Sequence, residues 1–418
     1  MKAWDNLVGL VIRPPRAEYT VDALGDEVFA LGVDVYRRED KVITNKRGMA
    51  LECSRFFKAD SGKLRPCIIY LHGNCGCRLD ALDMLEYMLP LGCDVFCFDF
   101  AGSGLSEGEH VSLGWHEKDD LACVVDYLRS EVGVTTIGLW GRSMGAATAL
   151  LYAVDDPTVA GMVLDSPFSD LPSLMIELAK SYKSSIPTPL IKLALSAVRR
   201  SVKKKCKFDI KQVSPAKAAA SCFVPALFAH GSSDTFIPPV HSEKVLEAYQ
   251  GEKNRITFDG DHNSARPSFL YDSAFIFFKN VLYRGDASEA TNLVSPPRSY
   301  QSSARGGGGD SSLDVTPLVA PPVRIVPERD EVVAGGEEEE EDIGKSGEGF
   351  EGGEMLSEEE EAELAEAMRL SLQTYFETEA KTEKAKAQVS AEKRREEWLG
   401  SGEKKEGDVA QRLDFSHP

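Results

Sequence analysis

Short apolar runs alternate with amphipathic stretches from about residue 67 to residue 282. The runs are Cys67–Leu71, Asp94–Phe98, Thr136–Trp140, Ala160–Leu164, Ala226–Ala229 and Arg255–Phe258. Because most of their positions are apolar, they predict strands buried on both faces, as in a mainly parallel sheet. The stretches between them have apolar residues at helical spacing; they are Leu79–Leu89, Trp115–Arg129, Ala146–Ala153, Ser242–Tyr249 and Ser268–Leu282. This alternation predicts an α/β domain with a central sheet of about eight strands and helices on both faces.

Two segments depart from the alternation. Val42–Thr44 and Leu51–Phe56 flank a turn-forming stretch, so they predict a hairpin near the start of the domain. Between Leu164 and Cys222, more than 50 residues contain no core strand. We expect this helical insert, about residues 170–220, to serve function, because long insertions in compact domains usually do.

The insert has two helical stretches and a basic cluster. The helices are predicted over Leu174–Tyr182 and Leu190–Val198. The cluster consists of Arg199, Arg200, Lys203, Lys204, Lys205 and Lys207. These bases could attract an anionic lipid, an acidic substrate group or the chain's own tail. Alternatively, they are solvated residues near helix C-termini.

Charge divides the chain at about residue 285. The 418 residues carry a formal net charge of −19, and residues 286–418 alone carry −17, from 32 acids and 15 bases. This second part contains the glycine run Gly306–Gly309 and the acidic run Glu337–Asp342. A segment with so little apolar surface cannot offset the entropy of ordering. We therefore predict one domain over residues 1–285, followed by a long disordered acidic tail with a linker over 286–354.

Composition excludes several classes of protein. No basic excess marks a nucleic-acid binder, and no stretch reaches the about 18 apolar residues of a membrane span. We find no signal-peptide pattern at the start. Nine cysteines at irregular spacing favour free thiols in a reducing compartment, so we expect a cytoplasmic protein. Cys75 and Cys77 have no matching pair of ligands, so no metal site is expected.

The strongest chemical signal is Gly141–Gly145, which fits the pattern G-x-S-x-G. An apolar strand precedes it and an alanine-rich helix follows it. That context places Ser143 on a tight strand-to-helix turn, where a nucleophilic hydroxyl is exposed. The helix N-terminus behind it favours a developing anion. Ser143 is therefore the candidate nucleophile.

A serine nucleophile needs a base and a residue that orients the base. In this architecture they follow in the order Ser, Asp or Glu, His. Asp234 comes just after the strand Ala226–Ala229, and His262 comes just after Arg255–Phe258. Both lie at the carboxyl ends of predicted parallel strands, where such sheets bind ligands. The alternatives to Asp234 are Asp165 and Asp170, which precede the last two strands.

An oxyanion hole needs backbone N–H donors beside the nucleophile. Met144, the residue after Ser143, supplies one in this architecture, and the loop after the third core strand supplies the other. That loop begins His72-Gly73, which leaves the N–H of Asn74 or Cys75 as the second donor.

Six short sequence segments together resemble the α/β-hydrolase superfamily. More narrowly, they resemble its serine aminopeptidase-like branch and, within that branch, a group of plant and protist cytosolic members. The segments are Ile12–Tyr19, His72–Asn74, Asp99–Ser106, Gly141–Gly145, Leu164–Leu171 and Gly260–Asn263. The resemblance covers about residues 1–285 and implies an α/β-hydrolase fold with Ser143, Asp234 and His262 as the triad. It also implies that the insert is a lid over an acyl site. No metal or organic cofactor is implied.

In the tail, Glu358–Leu372 resembles a ubiquitin-interacting motif within a helix predicted over residues 355–376. Acidic residues precede a helix face that carries Leu364, Ala367, Met368 and Ser371 at offsets 0, 3, 4 and 7. The resemblance implies that these four residues bind ubiquitin or ubiquitylated proteins. The alternative is a solvated acidic helix. Residues 377–418 are expected to be a charged helical or disordered end.

The sequence thus predicts a serine hydrolase acting on an ester, thioester or amide, with a small acyl or acylated-protein substrate and a ubiquitin-binding tail. Two alternatives stay open. One is a catalytically idle scaffold that acts as a ubiquitin-binding adaptor. The other is a serine peptidase.

Overall fold

The computed structural model describes residues 8–9, 11–59, 64–182 and 187–284, together with the backbone of 324–326. The proposed ubiquitin-binding residues Leu364, Ala367, Met368 and Ser371 lie outside the described residues. So do the segments predicted over 355–376 and 377–418, and all of the linker over 286–354 except 324–326.

In the described ranges, nine strands form one sheet in the order β10-β9-β8-β7-β5-β6-β4-β3-β2. Their bounds are β2 Val28–Leu31, β3 Asp34–Thr44, β4 Ala50–Lys58, β5 Cys67–Leu71, β6 Asp94–Phe98, β7 Ile137–Arg142, β8 Gly161–Asp165, β9 Ala226–Gly231 and β10 Lys253–Phe258. The six strands from β5 to β10 run parallel, and β2, β3 and β4 join them antiparallel. The prediction of a mainly parallel sheet is confirmed.

The sheet has one more strand than the expected eight. The additional strand is β2, which the sequence analysis missed because Val28–Leu31 is a short edge strand with an exposed first residue. The predicted hairpin is confirmed, and its first strand, β3, begins eight residues earlier than Val42. Charged residues occupy much of that extension, so it carries little apolar signal.

Helices cover both faces of the sheet. They are α1 Leu82–Met88, α2 Glu117–Tyr127, α3 Met144–Ala153, α7 Val240–Ala248 and α8 Ser268–Leu282. Single turns occur at Val21–Leu24, Arg78–Ala81, Leu89–Leu91, Leu128–Val132 and Ile210–Gln212. One buried apolar cluster joins the sheet to α2, α3 and α7, and a second joins it to α1 and α8. The central strands β5 to β9 are therefore buried on both faces, whereas the edge strand β10 is mostly exposed.

The insert between β8 and β9 contributes α4 Leu171–Tyr182, α5 Thr188–Cys206 and α6 Pro215–Ala219. It forms a third apolar cluster, in which Ile191, Leu195 and Val198 of α5 are buried. The same cluster includes Ala147 of α3 and Ile237 from the loop after β9. The insert thus packs against the loops at the carboxyl edge of the sheet.

A second sheet, of two strands, shares no strand pairing with the first. Strand β1, Arg16–Glu18, pairs antiparallel with β11, Arg324–Val326. Glu18 is opposite Arg324 in this pairing, and Arg16 is opposite Val326. A short stretch of the tail is therefore paired with the start of the domain.

All nine cysteines lie in the described ranges, and all are free thiols. Seven are buried, whereas Cys123 and Cys206 are partly exposed. Across the described helices, none combines the length and the apolar character needed to cross a membrane.

Candidate active site

Ser143 lies between β7 and α3 with a backbone φ of 54°, in the left-handed region. The flanking glycines explain how the chain makes this turn. A Cβ on Gly141 would collide with the carbonyl group of Gly145, and one on Gly145 would collide with the carbonyl of Leu71. The backbone is therefore packed too closely for a side chain at either position.

The structure brings Ser143, His262 and Asp234 into one hydrogen-bonded chain. The Nε2 atom of His262 is 3.1 Å from the Oγ of Ser143. On the other side of the ring, Nδ1 is 2.7 Å from Oδ2 of Asp234. Ser143 comes from the turn after β7, Asp234 from the loop after β9, and His262 from the loop after β10. All three loops leave the same edge of the sheet, because β7, β9 and β10 are parallel.

The surroundings of Asp234 keep its carboxylate ionised. Its Oδ1 accepts hydrogen bonds from the backbone N–H of Phe236, at 3.0 Å, and of Ile237, at 2.8 Å. Burial alone would raise the pKa of this carboxyl. Hydrogen bonds from His230 and His262 outweigh that effect, so the pKa of Asp234 lies well below its usual range.

Burial has the opposite consequence for the base. It lowers the pKa of His262 from its ordinary value, and the nearby positive charges of Arg142 and Arg266 act in the same direction. The hydrogen bond and charge of Asp234 oppose this but do not cancel it. The imidazole is consequently neutral at pH 7 and able to accept a proton.

The alternative acids have other partners. The carboxylate of Asp165 pairs with Arg266, and Asp170 accepts a hydrogen bond from the backbone N–H of Ser173. The residue in contact with Nδ1 of His262 is Asp234. Asp261 caps its own turn by accepting bonds from the N–H groups of Asn263 and Ser264.

The loop after β5 lies against the nucleophile turn. A Cβ on Gly73 would be 3.7 Å from the Cβ of Ser143. Cys75 has a positive φ of 66°, and the N–H of Gly76 bonds to the carbonyl of Gly73 at 3.0 Å, which closes a tight turn. This places Asn74 and Cys75 in the loop next to Ser143. The assignment of Met144 and of Asn74 or Cys75 as oxyanion donors stays a prediction.

The sequence analysis assigned no catalytic role to several residues that lie around the site. His230 has its Nε2 3.3 Å from Oδ2 of Asp234, and the ring of Phe236 lies 5.2 Å from that of His262. Arg142 and Arg266 both donate hydrogen bonds to the backbone carbonyl of His262. One available signal was that Arg142 and Arg266 are basic residues within or next to the motifs themselves.

No group of three or more potential metal ligands occurs within the residues that the structure describes. The arrangement at the sheet edge is a buried acid, a neutral imidazole and a hydroxyl at a helix N-terminus. Such a set can move one proton away from the hydroxyl and activate it toward an electrophilic carbon.

Comparisons with known proteins point to one fold. A family described as "alpha/beta hydrolase fold" matches residues 66–205. The uncharacterized protein YqkD of Bacillus subtilis is 32% identical over 47% of this chain and 64% of its own length. The alpha/beta hydrolase domain-containing protein WAV2 of Arabidopsis thaliana is 28% identical over 45% of this chain and 59% of its own length. The chain thus spans less than two thirds of these two relatives.

Among solved structures, an esterase of Pyrococcus furiosus superposes with a TM-score of 0.50 at 20% sequence identity. The match covers 65% of this chain and 98% of that one. At this identity the likeness concerns the fold alone.

Proposed function

We propose that this chain, which has the α/β-hydrolase fold, is a serine hydrolase acting on an ester, thioester or amide. The observation that carries the proposal is the unbroken set of contacts from Asp234 through His262 to Ser143. The left-handed backbone at Ser143 supports it, because the strain is typical of functional sites.

In the proposed mechanism, the Oγ of Ser143 attacks the carbonyl carbon while Nε2 of His262 takes its proton. The negative oxygen that forms is stabilised by the N–H groups of Met144 and of Asn74 or Cys75. The protonated imidazole then gives its proton to the leaving group, which leaves an acyl-enzyme. Water, deprotonated by His262, releases the acid. Asp234 holds the ring and stabilises its positive charge throughout.

A fluorophosphonate probe tests the proposal directly. We expect the native chain to be labelled at Ser143 and the variant Ser143→Ala to be unlabelled. The His262→Gln variant should keep the serine but lose most of the labelling rate. Equal labelling of the native chain and Ser143→Ala would contradict the assignment of the nucleophile. No labelling of the folded native chain would favour the idle scaffold.

The substrate class is a further part of the proposal. The apolar cluster of the insert includes Ala147 and Ile237, which are close in sequence to Ser143 and Asp234. Apolar helices next to the site favour an acyl or otherwise lipophilic substrate. The alternative is a peptidase. Comparing turnover of short acyl esters with that of aminoacyl amides separates the two, because a peptidase would favour the amides.

Ubiquitin binding by the tail is also proposed, and it rests on the spacing of Leu364, Ala367, Met368 and Ser371. Labelled ubiquitin titrated with the full chain should show resonance shifts. The variant Ala367→Arg should abolish them, since a long charged side chain blocks close approach to the helix. The control Leu399→Ala lies outside the motif and should behave as the native chain. Shifts that survive Ala367→Arg would contradict the motif.

A further inference from the structure

A buried ion pair lies beside the candidate active site. Arg266 donates to Asp165 through two nitrogens, from Nε to Oδ2 at 2.7 Å and from Nη2 to Oδ1 at 3.0 Å. The side chains are only 6% and 2% exposed. Burying two charges is costly and brings little net stability, even when the pair is bidentate. The pair therefore calls for an explanation other than stability.

The third nitrogen of Arg266 reaches the main chain of the base. Its Nη1 donates to the carbonyl of His262 at 3.1 Å and to the carbonyl of Ser264 at 2.7 Å. Arg142 donates to the same carbonyl of His262 at 2.9 Å. Two guanidinium groups thus hold the backbone oxygen of one residue, and the Arg266 guanidinium also stacks 5.0 Å above the ring of Phe258.

The main chain of Asp165 is tied to the nucleophile. Its carbonyl accepts a hydrogen bond from the N–H of Ser143 at 2.8 Å, and its side chain accepts another from the hydroxyl of Ser166. Asp165 is therefore bonded to the turn that carries Ser143 by its backbone. Through Arg266, its carboxylate is bonded to the loop that carries His262.

We propose that Arg266, braced by Asp165, is a positioning residue that sets the His262 main chain at a fixed distance from Ser143. The proposal rests on the function proposed above. Arg266 contacts neither the serine hydroxyl nor the imidazole ring in the bonds described, so it acts through the loop rather than on the reacting atoms. A displaced imidazole would weaken the 3.1 Å contact on which the proton transfer depends.

The same geometry has an electrostatic consequence that a merely structural residue would not have. The charged or titratable groups that face His262 are Asp234 from the β9 loop, Arg142 from the nucleophile turn and Arg266 from its own loop. His230 touches Asp234 from behind. Because the charge of Arg266 lowers the pKa of His262, its removal should raise that pKa. Activity would then be lost at a higher pH as the solution is acidified.

The test measures the rate of fluorophosphonate labelling as a function of pH in three variants of the full chain. Arg266→Lys keeps the charge but loses the planar fork of donors, so the labelling rate should fall about ten- to a hundredfold. The acid limb of the pH profile, where labelling is lost on acidification, should stay at the same pH. In Arg266→Met the labelling rate should fall by as much, and the acid limb should also move to higher pH. The double variant Asp165→Asn with Arg266→Met leaves no unpaired buried charge and should behave like Arg266→Met. The control Arg255→Met removes an exposed arginine of β10 and should match the native chain.

The outcomes distinguish the two proposals. If the native chain is not labelled, the proposed hydrolase function fails. If the native chain is labelled and folded Arg266 variants react at its rate with the same acid limb, the positioning role is wrong. Should Arg266→Met alone not fold, the lysine and double variants still decide. The imidazole titration of His262, followed by NMR, gives a readout independent of the probe.

Discussion

At the scale of single residues, the position of Ser143 is set by backbone contacts. A non-glycine residue with positive φ costs about 1–3 kcal/mol, and it persists only where its surroundings hold it. Here the N–H of Ser143 is bonded to the carbonyl of Asp165, and its own carbonyl accepts the N–H of Ala147. Main-chain hydrogen bonds on both sides therefore hold the backbone of Ser143 in this conformation.

A substitution of Gly145 tests how tightly this turn is packed. Alanine is favoured over glycine in a helix by about 1 kcal/mol, and Gly145 lies in α3. We nevertheless expect Gly145→Ala to destabilise the fold by at least about 2 kcal/mol, because its Cβ would collide with the backbone of Leu71. Urea unfolding measures the effect.

The matched control is Gly9→Ala, since a Cβ on Gly9 meets nothing within 4 Å. It should leave the unfolding midpoint nearly unchanged. A native-like midpoint for Gly145→Ala would mean that the turn relaxes easily, and the argument from close packing would be wrong.

The residues that meet at the site were predictable to different degrees. Ser143, Asp234 and His262 carry a motif, a chain order and a position after a strand, and the structure brings all three together. Arg142, at the end of β7, and Arg266, in the same loop as His262, both donate to the backbone carbonyl of His262. Both are basic residues in or near a motif, but a contact with a backbone carbonyl has no periodic or compositional signature, so the sequence alone could not assign their role.

At the scale of elements, burial on both faces made the parallel strands β5 to β9 predictable from their apolar runs. The predicted runs Cys67–Leu71 and Asp94–Phe98 coincide with β5 and β6. Short or exposed strands were harder to find. The edge strand β2 has four residues and was missed, and the charged first part of β3 was left out of the predicted hairpin. Helix α5 extends eight residues past the predicted end at Val198, through a stretch rich in lysine and arginine. Bases in a last helical turn are favourable there, although they mask the apolar periodicity.

Helix α5 allows a prediction about the insert. Ile191 is fully buried in the cluster that joins the insert to Val11 and Ile12 near the chain start. We expect Ile191→Ala to destabilise the protein by about 2–5 kcal/mol through lost burial and a residual cavity. The neighbouring Lys192 is exposed, so Lys192→Ala should change stability by less than about 0.5 kcal/mol.

Chemical denaturation of both variants measures these differences. Equal unfolding midpoints for Ile191→Ala and Lys192→Ala would indicate that burial of Ile191 in the insert does not stabilise the domain that unfolds cooperatively. A second, earlier transition confined to Ile191→Ala would show that the insert unfolds separately from the sheet.

At the scale of the whole molecule, three buried histidines link stability to pH. Burial is the largest influence on His72, His241 and His262, and the pKa of each is lowered from its ordinary value. The unfolded chain, with ordinary histidines near 6.5, therefore binds more protons than the folded one just below that pH. The stability that these three neutral imidazoles contribute is fully present above about pH 6.5. It is lost as the pH falls toward their pKa values in the folded chain.

We expect the free energy of unfolding to decrease as the pH falls from about 6.5 to 5, by up to about 1.4 kcal/mol per pH unit for each group. Urea unfolding at a series of pH values measures the slope. The variant His241→Gln should lower the slope, since one of the three groups no longer titrates. A stability that is flat or rises on acidification would contradict the assigned directions.

Because most of its thiols are buried, the reactivity of the cysteines reports where the protein unfolds locally. Cys53, Cys67 and Cys97 are buried in the sheet, whereas Cys206 ends helix α5 and is partly exposed. A thiol-reactive dye would therefore modify Cys123 and Cys206 first and reach the other seven only in molecules that have opened. Timed quenching and mass spectrometry would separate the two classes residue by residue. The order in which the buried thiols become modified would show whether parts of the chain unfold separately or the whole domain unfolds at once.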